Sequence, residues 1–501
     1  MSLEATPATP VSNSERVAKN TGFYLVAQVL GWLSGFVAIG VSARAFDPDL
    51  IGKMIIADTI RGIVTGYLAL SMENYLVKEI GRDSSKTAYY VNAMIGLRLL
   101  LLVPTFLICL FWFWLLKPTP LLWMFAGFFL AQIPLNFFTG IAASVLSGRE
   151  EGKRIMNLGI LQTVVAFCTL FFIRFGVQVY LGVTLVTQYG MSLVYLNWLR
   201  AIIPLKPSWN IAIWKQMIEG SLPFFANNIV LQTYGTITVF TLRHFLDDGA
   251  VAVYSQANRL TGTLLFFPTA LGMALLPSLT RLAENSPDQI RRVQARVFSL
   301  LIVLGVPSTL LTIGLATPFC HLLYGSTKWA AVPEILQIYA LALLPLYVVS
   351  TMYQFLIAKG KNGIWVWFLL GSIVVNVLCN CLLIPLTQRL FDNGVIGAAL
   401  STVIAESLSA VCAIRLLGEG IFTRESVQRL LKTFVAGSVM ALVLYLTHRM
   451  FIVIPFCAGL TVFLLIGWKL QILEPEEQEK LSGYLSRFLK KRPGKNPRMI
   501  V

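Results

Sequence analysis

The sequence predicts an all-α membrane protein of about fourteen spanning helices, set out as two six-helix bundles with two extra helices at the C-terminal end. Three observations lead there. Hydrophobic residues make up 56% of the 501 and charged residues only 13%, with a mean hydropathy of +0.73, which is about half the charge of a soluble domain. Apolar runs of about 20 residues, each long enough to cross ~30 Å of hydrocarbon as a helix, recur from one end to the other. Lys and Arg gather in alternate connections between those runs. A disordered chain, a disulfide scaffold, a soluble enzyme and a nucleic-acid reader are set aside.

Residues 1–17, rich in Ser, Thr, Pro and Glu, read as a cytoplasmic tail with no secretory cleavage pattern. The run 21–43 is too long for a signal-peptide core and serves as an uncleaved first span. Further runs lie at 54–77, 90–115, 121–147, 155–175 and 177–199, completing an N-terminal bundle within 18–200. A linker at 201–220 precedes the runs 221–244, 252–279, 297–318, 333–358, 363–386 and 393–417, the C-terminal bundle within 221–418. Runs 432–449 and 451–470 fall within a final pair at 419–470. The basic stretch 280–296 is a candidate amphipathic surface helix. In the cytoplasmic tail 471–501, Leu481, Tyr484, Leu485, Phe488 and Leu489 share one helical face ahead of Lys490-Lys491-Arg492, a pattern suited to the membrane surface.

The net charge of +16 sorts by side. With the N-terminal tail placed inside, the inner connections and the C-terminal tail hold most of the Lys and Arg. The outer ones hold only Arg44, Lys53, Lys117, Arg174, Arg243, Lys328, Arg389 and Arg449. Shifting the count by one span destroys the contrast, so both termini are expected inside. The seven cysteines lie in or at the ends of apolar runs without metal-site spacing, and read as small apolar packing residues. Pro104, Pro134, Pro268, Pro307 and Pro345 are candidate kinks. A weak repeat is visible: Arg44-x-Phe46, the acidic turn Asp47/Asp49 and Arg61 correspond to Arg243-x-Phe245, Asp247/Asp248 and Arg259.

The second half carries a family signal. Ala252-Val253-Tyr254-Ser255-Gln256-Ala257-Asn258-Arg259-Leu260 resembles a "vG-x-Y-x-x-A-x-R-L" stretch, with Ala252 in place of its glycine. Leu276-Pro277-Ser278-Leu279-Thr280-Arg281, Leu323-Tyr324-Gly325 with Trp329-Ala330, and Asn376 through Asn380, Pro385, Gly394, Gly397 and Glu406 follow in the family's order. In the first half, Tyr75-Leu76-Val77-Lys78-Glu79-Ile80-Gly81-Arg82 resembles "y-l-v-r-e-i-a-r". Over nearly its whole length the chain resembles the Wzx-like oligosaccharide flippases of the multidrug/oligosaccharidyl-lipid/polysaccharide superfamily. The resemblance implies a V-shaped fold like that of the multidrug antiporters, with two bundles that rock against each other. It also implies a cargo: an undecaprenyl-pyrophosphate-linked oligosaccharide moved from the cytoplasmic to the periplasmic leaflet for O-antigen or exopolysaccharide synthesis.

Three arginines lie within spans: Arg61, Arg98 and Arg259. A buried arginine costs at least ~2.5 kcal/mol in a bilayer and faces a cavity or a partner, and its planar fork matches phosphate oxygens. They are the candidate substrate-binding cations. Asp58, three residues before Arg61, sits where it can neutralise it, and Arg98 is placed where it can snorkel to the interface. Asn227, Asn228 and Gln232 are candidates for sugar hydroxyls or for helix–helix contacts, and Asn376 with Asn380 (i, i+4) reads as helix glue. Glu406 and Asp58 are candidates for ion coupling, and Glu73 reads as interfacial.

No cofactor and no metal are expected, and no enzymatic activity: every outer loop is short, and no nucleophile stands beside a base. The expected partners are the lipid-linked oligosaccharide and membrane lipids, with a polysaccharide polymerase and chain-length machinery as further candidates and no nucleic acid. The expected location is the bacterial cytoplasmic membrane. A drug or cation antiporter, a peptidoglycan-precursor flippase and, in another class, a membrane glycosyltransferase or polymerase are the competing readings. The absence of Asp and Glu from runs 21–43 and 221–244 favours an anionic cargo over a cationic one.

Overall fold

The computed structural model describes residues 13–472 apart from 117, 286, 326, 361 and 419–420. The amphipathic tail helix expected after Glu474 lies outside the described residues. In chain order the α-helices are α1 (Asn13–Ala45), α2 (Pro48–Leu68), α3 (Met72–Arg82), α4 (Thr87–Leu115), α5 (Pro120–Ala131), α6 (Ile133–Gly148), α7 (Gly152–Leu170), α8 (Val177–Ile202) and α9 (Ile211–Phe245). They continue as α10 (Asp248–Leu264), α11 (Phe266–Asn285), α12 (Pro287–Tyr324), α13 (Val332–Ala340), α14 (Leu343–Ala358), α15 (Asn362–Phe391), α16 (Gly394–Leu417), α17 (Arg424–Thr447) and α18 (Val453–Lys469). The described residues are all-helical apart from turns and short connections. Among the described residues eight helices are long and apolar enough to cross a membrane, or ten if two bent pairs each count as one span. This is a multi-pass membrane protein.

Several apolar runs that read as single spans are broken. The run 54–77 is two helices, α2 and α3, meeting at 47°. Leu70 and Ser71 adopt left-handed backbone there (φ 52° and 51°). Neither residue favours that region, so nothing in the sequence marks the bend. The run 333–358 is likewise α13 and α14 at 49°. The run 252–279 breaks at Leu265, where Pro268 leaves the Leu264 carbonyl without its helical donor. Pro134 falls in the first turn of α6, where a missing N–H costs nothing. One connection is more helical than expected: residues 211–220 form the first turns of α9, which runs on through Pro223. The stretch 280–296, read as a candidate surface helix, is divided between the end of α11 and the first turns of α12.

Residues 203–210 run against α4. The Asn92 amide donates to the Pro204 carbonyl (3.0 Å) and accepts from the Lys206 N–H (2.9 Å). The Ser208 N–H donates to the Asn92 carbonyl (2.9 Å), and the Trp214 indole N–H to the Ala93 carbonyl (2.8 Å). Asn210 then caps α9 through the Ala212 and Ile213 N–H groups.

The chain forms two compact units. Of the described residues, the first holds those within 13–263, 320–335 and 362–405, and the second those within 264–319, 336–360 and 406–472. In the first unit a core of Met72, Tyr75, Leu76, Met94, Ile141, Val145 and Met217 joins α3, α4, α6 and α9. Asn376 and Asn380 meet across one turn of α15 (2.9 Å), and both bond Thr238 of α9 (3.0 and 3.3 Å). That is the expected helix glue. In the second unit Val303 and Leu315 of α12 pack with Met440 and Leu444 of α17 and Phe463 of α18.

The sequence repeat reappears in the element boundaries, where α1 and α9 end at Ala45 and Phe245, and α2 and α10 begin at Pro48 and Asp248. Its two arginines have different partners. Arg44 donates to the Leu322 and Leu323 carbonyls at the end of α12 (2.5 and 3.0 Å), whereas Arg243 pairs with Asp248. Lys53 of α2 also reaches Asp248 (3.3 Å). Gly52, beside it, lies against the Asp248 carbonyl with no space for a side-chain carbon.

Candidate functional site

Asp58, Arg61, Arg98 and Arg259 all belong to the first unit. Asp58 and Arg61 project from one face of α2, three residues apart. The Arg61 Nε donates to the Asp58 carboxylate (3.1 Å), and the guanidinium lies 5.7 Å from the centre of the Phe129 ring. The Asp58 side chain is 43% exposed and that of Arg61 18%. Asp58 also lies within electrostatic range of Arg259 on α10. Arg259 is exposed, and among the described residues no carboxylate stands within ion-pair distance of it. Three expected site residues thus lie within electrostatic range of one another, with Asp58 paired to Arg61.

Sequence reading missed a neighbour of this group. Tyr324, the last residue of α12, is buried within electrostatic range of Arg259, and its hydroxyl has no hydrogen-bond partner among the described residues. Its ring stacks on Trp329 (5.6 Å between centroids), whose indole N–H donates to the Ala43 carbonyl (2.7 Å). The Tyr324-Gly325 and Trp329 motif therefore has a physical meaning. It holds an unsatisfied hydroxyl beside an unpaired guanidinium, an arrangement that favours an anion or ordered water.

Along the same helices, a cavity of about 520 Å³ is lined by Gly66, Ala69, Ser71, Glu73, Asn74, Asn228, Leu231 and Gln232. Asn228 donates to the Ser71 hydroxyl (2.8 Å) and Gln232 to the Gly62 carbonyl (2.5 Å). Tyr67 and Thr233 share a hydrogen bond of 2.6 Å. The amides on α9 thus join helices and face the cavity at once. Gly66 lets the Gln232 amide approach, because any side chain there would collide with it. Asn227, the third expected amide, is half-buried on α9 and does not line the cavity.

Arg98 does not line the cavity either. It is 3% exposed and reaches Glu73, which does. Glu73 is therefore a cavity residue as well as the partner of Arg98. Glu406 belongs to the second unit, where it is buried and engaged in an interaction. Cys109 and Cys320 are buried packing residues as expected, while Cys168, Cys381 and Cys457 are exposed.

A family model described as polysaccharide biosynthesis protein matches residues 17–283, just over half of the chain. The chain belongs to that family. A second model, MatE, matches residues 223–382. A probable flippase, AglR, of Haloferax volcanii is 25% identical over 276 residues, 52% of this chain and 55% of that protein. The match thus spans about half the length of that curated relative.

Solved structures with the same fold include the lipid II flippase MurJ in an inward closed conformation. Its TM-score is 0.69 at 17% identity, over 89% of this chain and 97% of that one. An inward-facing multidrug resistance MATE family transporter of the MOP superfamily follows with TM-score 0.61 at 12% identity, over 83% and 98%. A MOP superfamily transporter from Pyrococcus furiosus, described by the reverse polarity of its binding pocket, has TM-score 0.57 at 13% identity, over 82% and 97%. The fold is that of the MOP superfamily, as the sequence motifs imply.

Proposed function

We propose that this protein flips an undecaprenyl-pyrophosphate-linked oligosaccharide from the cytoplasmic to the periplasmic leaflet of a bacterial cytoplasmic membrane, feeding O-antigen or exopolysaccharide synthesis. The observation that carries the reading is Arg259, an exposed residue on a membrane helix with no carboxylate at ion-pair distance among the described residues, within electrostatic range of the Asp58–Arg61 pair. Moving a pyrophosphate through hydrocarbon requires replacing its water. Guanidinium groups do so through charge-assisted hydrogen bonds and remain protonated at any accessible pH. The Tyr324 hydroxyl adds a neutral donor, and the cavity beside Asn228 and Gln232 offers partners for sugar hydroxyls.

In this reading the halves 18–200 and 221–418 alternate in opening, both termini lie in the cytoplasm, and Asp58 sets the charge of the site. Glu406 is reserved for ion coupling, and a polymerase with its chain-length partner receives the product. The relatives bearing the names flippase and MATE transporter support transport over catalysis.

Glycan export in cells carrying Arg259→Ala tests the reading. Export is expected to fall at least tenfold at normal protein levels, with partial activity in Arg259→Lys, which keeps the charge without the fork. Unchanged export by both Arg259→Ala and Arg61→Ala would refute it.

A further inference from the structure

The Glu73–Arg98 pair is poorly matched for a guanidinium buried as deeply as that of Arg98. Arg98 reaches the Glu73 carboxylate through one nitrogen, Nη2, which also lies 3.4 Å from the Ala69 carbonyl. Both acceptors belong to cavity-lining residues. The other two nitrogens, Nε and Nη1, are buried without a hydrogen-bond partner among the described residues. Phe137 supports the guanidinium at 4.7 Å. A guanidinium offers five donors in a planar fork suited to bidentate oxyanions, and here one donor atom does the pairing. Leaving buried donors unmade is costly. Glu73 is itself 31% exposed, so it is free to swing into the cavity.

We infer that Glu73 is an exchangeable counter-ion: it holds Arg98 while the cavity is empty, and a phosphoryl oxyanion takes its place on the fork as Glu73 takes up one proton. This deepens the proposed function, on which it rests, by adding a second anion site, separate from Arg61 and Arg259, that admits charge only with a proton. The balance closes. Before exchange the site holds one guanidinium cation and one carboxylate. Afterwards it holds the guanidinium, one negative charge of the phosphoryl group and a neutral carboxylic acid. Two anions cannot share one guanidinium in a low-dielectric site without strong repulsion, so the proton enters with the anion.

Among the described residues Glu73 is the only carboxylate at ion-pair distance from Arg98, which makes it the protein group placed to take that proton. Of the helices packed on α3, α6 carries no titratable side chain. Helix α9 has none between Glu219 and Tyr234, and α4 has only Tyr89, Tyr90 and Cys109 besides Arg98. Helix α2 presents Tyr67 and, farther away, Arg61 and Asp58. On α3 itself Tyr75, Lys78, Glu79 and Arg82 follow toward its far end.

The test uses inorganic pyrophosphate and the full-length protein in nanodiscs, by calorimetry in buffers of different ionisation enthalpy. In an Arg61→Ala/Arg259→Ala background, binding is expected to persist and to take up about one proton that Glu73→Gln removes. Linkage to one proton also makes affinity fall by up to about tenfold per pH unit as pH rises. Glu73→Asp is expected to retain the uptake, and Arg98→Lys to weaken binding at least fivefold. A difference infrared spectrum of the same background, needing no change at Glu73, is expected to show a protonated carboxyl band on adding pyrophosphate. No binding in that background, uptake unaltered by Glu73→Gln, or no carboxyl band would overturn the inference. The export test on Arg259→Ala stands apart from these readouts, so the two proposals fail separately.

Discussion

The hydroxyl of Tyr347 donates to the carbonyl of Leu264 at 2.9 Å, the carbonyl that Pro268 leaves without its helical partner. Thr351, one turn further along α14, bonds the Pro268 carbonyl at 3.1 Å. The helix break at Leu265 is thus satisfied from a neighbouring helix, as a membrane interior demands. Tyr347→Phe strands a buried carbonyl and is expected to destabilise the protein by about 1–3 kcal/mol. In the Pro268→Ala background, where the carbonyl regains a backbone donor, the same substitution is expected to cost much less. A double-mutant cycle on thermal or denaturant unfolding measures the difference.

Gly52 is the point of closest approach between α2 and the start of α10. Gly52→Ala puts a carbon where the Asp248 carbonyl stands and is expected to cost about 1–3 kcal/mol through overpacking. The readout is the unfolding midpoint in detergent. Gly31, which has open space around its Cβ position, is the control: Gly31→Ala is expected to leave the midpoint unchanged.

The Thr238–Asn376–Asn380 network is buried on all three members. Coupling between Thr238→Val and Asn376→Leu is expected at about 0.6–1.7 kcal/mol, the range for interhelical hydrogen bonds in membranes. Additive losses in a double-mutant cycle would assign the stabilisation to packing instead.

Leu70 and Ser71 occupy a backbone region that costs L-residues roughly 1 kcal/mol or more each. Ser71→Gly removes that cost but also the hydroxyl that Asn228 donates to, a loss of about 1 kcal/mol, whereas Leu70→Gly removes a side chain packed against the core of the first unit, a loss of about 1.5–3 kcal/mol. Ser71→Gly is therefore expected to be the better tolerated of the two, read from the unfolding midpoint.

Apolar run length and the placement of Lys and Arg made the membrane-helical class readable, because both follow from bilayer physics acting on each residue in turn. The Asp58–Arg61 pair was readable for a similar reason, since helical spacing fixes it. The bend at Leu70 and Ser71 was not, as no glycine or proline marks it. With the bend went the position of Glu73 and its pairing with Arg98, twenty-five residues away. Tyr324 was visible as a motif letter, but its relation to Arg259 depends on the packing of α12 and α10. Residues 211–220 were read as linker because Lys215 and Glu219 interrupt hydrophobicity, although neither interrupts a helix.

The strap formed by residues 203–210 makes the peptide link between Ile203 and Asn210 partly redundant. Asn92 grips it by side chain and backbone, and Trp214 anchors the first turn of α9 to the same helix. Severing one bond within this stretch removes covalent continuity but none of those contacts. Two separately translated fragments, divided there, therefore carry mutually recognisable ends, and the natural polypeptide behaves at this junction as though it were already docked to itself.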